Sequence, residues 1–298
     1  MSKQLKADLA LLGVAMVWGA SFVLSKNSLD HLQTFNFLAI RFLISALLSS
    51  LLFYKNILNI KKDTLKYGVL IGCILFTAYA FQTLGLNYTT ASKSGFITGF
   101  SVVIVPILSA LLLKKKPERA AIVSVFLALL GLGFLTLDTT LTFNIGDLLT
   151  LIGALFFALH IITVGKYTVK VDSIALGIVQ IAVVGILSTL FTFTVEIPVL
   201  PKGVGAWTSI LILAVFATSF AYIVQNAMQK FTSPTHTALI YTGEPVFAAL
   251  FAYILVGEVL TKGGIFGGIL ILAGMLIAEL DWKSLFNKHQ EKKKLQSS

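Results

Sequence analysis

Long apolar runs, separated by short polar breaks, restrict the fold of this chain more than any other feature. A transmembrane helix needs about 20 mostly apolar residues, and the breaks divide the 298 residues into ten candidate spans. These spans are 8–25, 34–54, 66–86, 92–113, 119–137, 147–166, 173–195, 206–228, 236–256 and 263–280. Only 12% of the residues are charged, which is about half the share in a soluble domain. We therefore predict an all-α membrane protein.

The lysines and arginines predict how these spans are oriented. If the N-terminus is cytoplasmic, the inside segments hold 18 of the 23 basic residues, and Arg41 lies within the second span. The outside segments hold only Lys26, Lys93, Lys202 and Lys262. Basic residues concentrate in cytoplasmic loops, so both termini should be cytoplasmic and the number of spans even. The same distribution explains the net charge of +10 without nucleic acid as a partner.

Polar residues recur along the chain and indicate an internal repeat. At an offset of 139, Asp8 matches Asp147 and Arg41 matches Gln180; at 143, Tyr79 matches Tyr222, Gln82 matches Gln225 and Thr89 matches Thr232. Five spans per half place the second half upside down in the membrane, an arrangement found in many transporters. We predict a first five-helix repeat at 1–140, a second, inverted repeat at 141–282, and a basic cytoplasmic tail at 283–298.

Several short motifs resemble those of the EamA family of the drug/metabolite transporter superfamily. They are WGASF at 18–22, TAS at 90–92, GFITG at 95–99, EPVFAAL at 244–250, the pair Gly257-Glu258, and the glycines Gly267, Gly268 and Gly274. The resemblance implies a ten-helix basket with a central cavity, alternating access, and frequently the export of amino acids or other metabolites. The first half departs from the pattern, since Lys116-Pro117-Glu118 stands where the second half has Gly257-Glu258.

Polar side chains inside the spans are the candidates for solute contact, because such groups are costly at membrane depth. Ser94 and Thr98 share one face of the fourth span with Ser101, and at offset 143 this stripe matches Thr237, Tyr241 and Glu244. The predicted substrate-binding residues are Trp18, Arg41, Tyr79, Gln82, Ser94, Thr98, His160, Gln180, Tyr222, Gln225, Tyr241 and Glu244. Each has a structural alternative, either packing or hydrogen bonding between helices.

Glu244 is the sharpest of these candidates. A carboxylate in an apolar span is costly when charged, so it could bind a proton in exchange for a cationic or zwitterionic solute. Alternatively, it could hydrogen-bond backbone that Pro245, which lacks an N–H, leaves free. Three alternatives are open for Arg41, which could snorkel to the membrane interface, meet a carboxylate such as Glu244, or bind an anionic group of the solute.

No pattern in the sequence indicates a cofactor, a metal or an active site. Cys73 is the only cysteine, the four histidines are scattered, and neither HExxH nor a phosphate-binding glycine motif occurs. We predict a multi-pass transporter of the cytoplasmic membrane, not an enzyme, that exports a small metabolite or an amino-acid-like, amphipathic solute. Its partners are this solute and the lipid bilayer, with protons as a further option; monomer and homodimer both stay open. An intramembrane enzyme or a channel-like module is the alternative.

Overall fold

The computed structural model describes residues 3–112 and 144–279, together with positions 123, 126–127, 129–131 and 134. These residues form helices and short turns without any strand, so the all-α prediction is confirmed for them. The first-half helices are α1 (Lys3–Leu29), α2 (Thr34–Leu52), α3 (Tyr54–Leu58), α4 (Lys62–Leu86), α5 (Ala91–Gly99) and α6 (Ser101–Leu112). The second half has α7 (Ile145–Tyr167), α8 (Ser173–Val195), α9 (Val204–Ile212), a π-helical segment (Leu213–Phe220), α10 (Ala221–Gln229), α11 (Pro234–Tyr241), α12 (Gly243–Val256) and α13 (Lys262–Glu279).

Eight helices among the described residues are long and apolar enough to cross a membrane. They correspond to the first four predicted spans and to the sixth through ninth. The tenth predicted span coincides with α13, of which Lys262–Gly274 is a shorter apolar stretch. The fifth predicted span, 119–137, lies largely outside the described residues. Ten spans therefore stays a prediction.

Two of the spans are interrupted near their middle, at positions that the repeat relates. The span Ala91–Leu112 breaks at Phe100, where Phe100 N–H bonds to the carbonyl of Ile97, three residues back. The span His236–Val256 breaks at Thr242, because Pro245 cannot donate to the carbonyl of Tyr241. Interrupted helices in corresponding positions of two repeats commonly mark the binding site of a transporter.

The eighth span is irregular in a different way, since its middle winds as the π-helix Leu213–Phe220. This winding leaves backbone carbonyls available to side chains of other helices. The indole Nε1 of Trp18 donates to the carbonyl of Ala217 over 2.9 Å, and Ser45 Oγ donates to the carbonyl of Ala214 over 2.8 Å. The equivalent stretch of α4 is a regular α-helix, so the two halves differ here.

The two halves pack into each other along their length. α4 packs against α7 and α8, α2 against α8, and α1 against α10 and α12. The buried apolar side chains form two main clusters, and Trp18 packs against both of them. The space beside Trp18 is therefore bordered by helices from both halves, and the candidate site lies there.

Candidate functional site

A small cavity lies between the halves, and α1, α4, α5, α6, α7, α10, α11 and α12 all contribute to its wall. Its volume is about 40 Å³ as traced by the centres of water-sized spheres. One water needs roughly 10–15 Å³ by that measure, so there is room for a few waters and the wall must part to admit a metabolite. The lining residues are Trp18, Ser21, Phe22, Tyr79, Gln82, Thr98, Ser101, Phe157, His160, Ile161, Tyr222, Gln225, Tyr241 and Glu244.

A hydrogen bond between two tyrosines joins the halves at the centre of this cavity. Tyr222 Oη donates to Tyr79 Oη over 2.8 Å, and both side chains are buried. The two residues are 143 positions apart, which is the repeat offset. The bond therefore joins two positions that the predicted repeat makes equivalent.

Aromatic rings form most of the apolar wall around the tyrosine pair. The ring of Trp18 lies 5.3 Å from that of Tyr222 and 5.2 Å from that of Tyr241, and Phe157 lies edge-on to Tyr79 at 5.3 Å. Such tilted and edge-on contacts are the geometries that aromatic rings prefer. Because the indole N–H is bonded to Ala217, Trp18 is fixed in orientation and presents its ring to the cavity.

Glu244 stands in the first turn of α12, directly after the break at Thr242, and lines the cavity. A Cβ on Gly19 would lie 2.8 Å from the carbonyl oxygen of Glu244. α1 and α12 therefore approach closely beside this carboxylate. Within the part of the chain that the structure describes, the one contact within 4 Å between a basic and an acidic side chain joins His236 and Asp8, so Glu244 and Arg41 form no direct pair.

Arg41 lies behind the cavity wall and does not line it. Its Nε donates to Thr218 Oγ1 over 2.8 Å, and the guanidinium carbon lies 5.3 Å from the ring centre of Tyr79. The rings of Phe37 and Phe42 are 5.9 Å and 5.4 Å away. A guanidinium over aromatic faces is held by cation–π attraction. The ring of Tyr79 therefore lies between the guanidinium group and the cavity.

Hydrogen bonds between side chains order the polar part of the wall. His160 Nε2 lies 2.6 Å from Gln180 Oε1, which places Gln180 behind His160 as Arg41 lies behind Tyr79. Gln82 Nε2 donates to Thr98 Oγ1 over 2.9 Å. These contacts hold the lining groups in defined positions.

The structure brings nine of the twelve predicted residues together around one cavity. The three others, Arg41, Ser94 and Gln180, do not line it; Ser94 is buried on α5 with no hydrogen-bond partner for its Oγ. The predicted set omitted Ser21, Phe22, Ser101, Phe157 and Ile161, which also line it. Helical spacing had already placed Ser101 on one face with Thr98, and it could also have found Ser21, which follows Trp18 by three residues.

No group of three or more histidine, cysteine, aspartate or glutamate side chains that could hold a metal occurs among the described residues. The polar groups of the wall are hydroxyls, amides, one imidazole and one carboxylate. They can exchange hydrogen bonds with a solute, and Glu244 can also attract a positive charge. The arrangement is suited to reversible binding.

Comparison with known proteins connects this arrangement to transport. The model of the EamA-like transporter family matches residues 5–137 and 144–279. An uncharacterized transporter of Archaeoglobus fulgidus is 37% identical over 284 residues, covering 93% of this chain and 87% of that protein. The uncharacterized transporter YyaM of Bacillus subtilis is 26% identical over 296 residues, covering 93% and 94%. One solved crystal structure has the same fold, with a TM-score of 0.73 and 17% identity over 95% of this chain and 99% of that one.

Proposed function

Because the chain belongs to the EamA-like transporter family, we propose that this membrane transporter is a secondary carrier that exports a small amphipathic or amino-acid-like solute across the cytoplasmic membrane by alternating access. The observation that carries the proposal is the position of the cavity. It lies between the inverted halves, where the equivalent residues Tyr79 and Tyr222 meet. Substrate sites of carriers built from inverted repeats lie at this interface.

The chemistry of the wall suggests how such a solute would bind. The rings of Trp18, Tyr222 and Tyr241 offer an apolar surface for a hydrocarbon or aromatic part. Gln82 and Thr98 offer an amide and a hydroxyl, and Glu244 offers a carboxylate for an ammonium group. A site with an apolar wall and a few directed polar groups fits an amphipathic molecule.

Glu244 gives the carrier a means of coupling to protons. When solute is absent, a proton neutralises a carboxylate that is costly to leave charged in an apolar span. A cationic group of the solute would replace that proton, so proton and solute would bind alternately. Solute export would then be driven by proton entry.

The experiment is solute flux in liposomes that contain the purified protein. Candidate amino acids and related amines are screened first by thermal shift, and those that stabilise the protein are then tested for saturable uptake, counterflow, and dependence on a pH gradient. A carrier gives counterflow, whereas a channel-like module gives flux that rises in proportion to concentration. An intramembrane enzyme would release a chemically altered product instead.

The variant Glu244→Gln tests the coupling step. We expect it to fold, to bind a cationic solute more weakly, and to show pH-gradient-driven flux at least about tenfold lower, since the amide can neither take up the proton nor pair with the cation. Asp63→Asn is the matched control, because Asp63 is exposed in the first turn of α4 and should change nothing. Proton coupling through Glu244 is wrong if Glu244→Gln transports with unchanged pH dependence.

A further inference from the structure

Two side-chain contacts, each made by an aspartate of an entry helix, lie toward the ends of the bundle, outside the cavity. In the first, Asp8 Oδ1 of α1 lies 3.2 Å from His236 Nε2 of α11. In the second, Asp147 Oδ1 of α7 accepts a hydrogen bond from Thr89 Oγ1 over 2.6 Å, just before α5 begins. Each joins the first turns of an entry helix, α1 or α7, to the start of an interrupted span.

The repeat relates the two aspartates to each other, while their contact partners occupy different positions of the repeat. Asp8 and Asp147 are equivalent at offset 139, and Lys93 and His236 are equivalent at offset 143. The caps correspond as well: Thr90 Oγ1 accepts from Lys93 N–H at 3.3 Å, and Ser233 Oγ accepts from His236 N–H at 3.1 Å. The aspartates and the caps therefore lie at equivalent places in the two halves, whereas the partners differ, since Thr89 is equivalent to Thr232 and His236 to Lys93.

The two contacts lie on opposite faces of the bundle. Lys26, 18 residues beyond Asp8 on α1, donates through Nζ to the carbonyl of Thr89 over 3.0 Å. Eighteen residues of helix span about 27 Å, close to the thickness of the hydrocarbon core, about 30 Å. Asp8–His236 therefore closes one face and Asp147–Thr89 the other.

Both contacts are present at once, and the cavity between them has only about 40 Å³. The two interrupted spans contribute Thr98 and Tyr241 to that cavity, so a movement of α5 or α11 away from its entry helix would widen it toward one face. We infer that Asp8–His236 and Asp147–Thr89 are the two gate contacts of the carrier, one for each face, and that the structure has both gates closed.

This inference rests on the proposed carrier function, but its test needs no solute. The background is Cys73→Ser, which removes the only cysteine, with Ser101→Cys as a reporter in the cavity wall. A membrane-impermeant maleimide is added to right-side-out and to inside-out vesicles, and the labelling rate of the reporter is measured for each face. The gate variants are Asp8→Ala and Asp147→Ala, and Asp30→Ala is the control, since Asp30 is exposed at the end of α1.

We expect Asp8→Ala to increase labelling on the order of tenfold from the face where the chain begins, because a contact made only in the closed state is lost. Asp147→Ala should give the same increase from the opposite face, and Asp30→Ala should give none. His236→Phe and Thr89→Val remove the other partner of each contact and should reproduce the two results. They replace the aspartate variants if these fail to fold.

The inference is overturned if folded gate variants label at the rate of the background, or if both increase labelling from one face. In either case the contacts only cap the helices. Loss of carrier function gives a different pattern: flux would be absent for every solute, while the labelling of the gate variants would still divide by face. The two proposals can therefore fail separately.

Discussion

At the scale of single residues, the hydrogen bond between Tyr79 and Tyr222 joins the two halves most directly. If each hydroxyl is the main hydrogen-bond partner of the other, Tyr79→Phe and Tyr222→Phe should each lower the free energy of unfolding by about 0.5–1.5 kcal/mol. The double variant should lower it by little more than either single variant does. Thermal unfolding in detergent measures the three values. Tyr253→Phe is the control, since Tyr253 is exposed. Additive losses would show that the hydroxyls act separately and that the bond does not couple the halves.

The sequence predicted the members of the cavity better than their roles. The repeat placed Tyr79 opposite Tyr222 and Gln82 opposite Gln225, and all four line the cavity. Arg41 and Gln180 were equivalent in the same alignment, yet both lie one layer behind the wall. Polarity inside a span indicates that a side chain avoids lipid, but the rotation of the helix decides whether it meets a cavity or another side chain.

At the scale of elements, close packing of α1 on α12 positions Glu244. A Cβ on Gly19 would lie 2.5 Å from Phe247 Cβ and 2.8 Å from the backbone nitrogen of Ala248, so Gly19→Ala must push the helices apart. We expect this substitution to lower the free energy of unfolding by about 1–3 kcal/mol. It should also reduce flux, because Glu244 moves with α12. In contrast, Gly13→Ala on the same helix meets nothing within 4 Å.

Thermal stability and liposome flux of these two alanine variants provide the comparison. The Gly13 variant should match the parent protein in flux and be at least as stable, because alanine favours the helix more than glycine does. If the Gly19 variant is as stable and as active as the parent protein, α12 can shift away from α1 without effect. The close approach of the two helices then does not set the position of Glu244.

The interruptions of the helices show which elements the sequence could and could not predict. Pro245 gave a local signal for the break at Thr242, whereas α6 continues through Pro106 and its span breaks earlier, at Phe100. Nothing in the stretch LAVFATSF, which has no proline or glycine, indicates the π-helix Leu213–Phe220. Its freed carbonyls are bonded by Trp18 and Ser45 from distant helices, so its winding depends on tertiary contacts that no local pattern contains.

At the scale of the whole molecule, the described helices indicate how the chain passes through the membrane. Asn144 Nδ2, just before α7, donates to the carbonyl of Tyr88 over 2.6 Å, so α7 begins at the face where α5 begins. The span Ala91–Leu112 has 22 residues, about 33 Å of helix, and ends at the opposite face. From these two end points we predict that the chain returns across the membrane between Leu112 and Asn144. This geometry supports the prediction of a fifth crossing, which the lysine distribution required independently.

Reporter fusions test this path through the membrane. A reporter fused after Leu112 should lie in the cytoplasm, giving fluorescent green fluorescent protein and inactive alkaline phosphatase. After Asn144 we expect active phosphatase, and after Ser298 a cytoplasmic reporter again, because ten crossings return the chain to the side where it started. Reporters found on the same side of the membrane after Leu112 and after Asn144 would show that the chain does not cross between these residues. The second half would then not be inverted relative to the first.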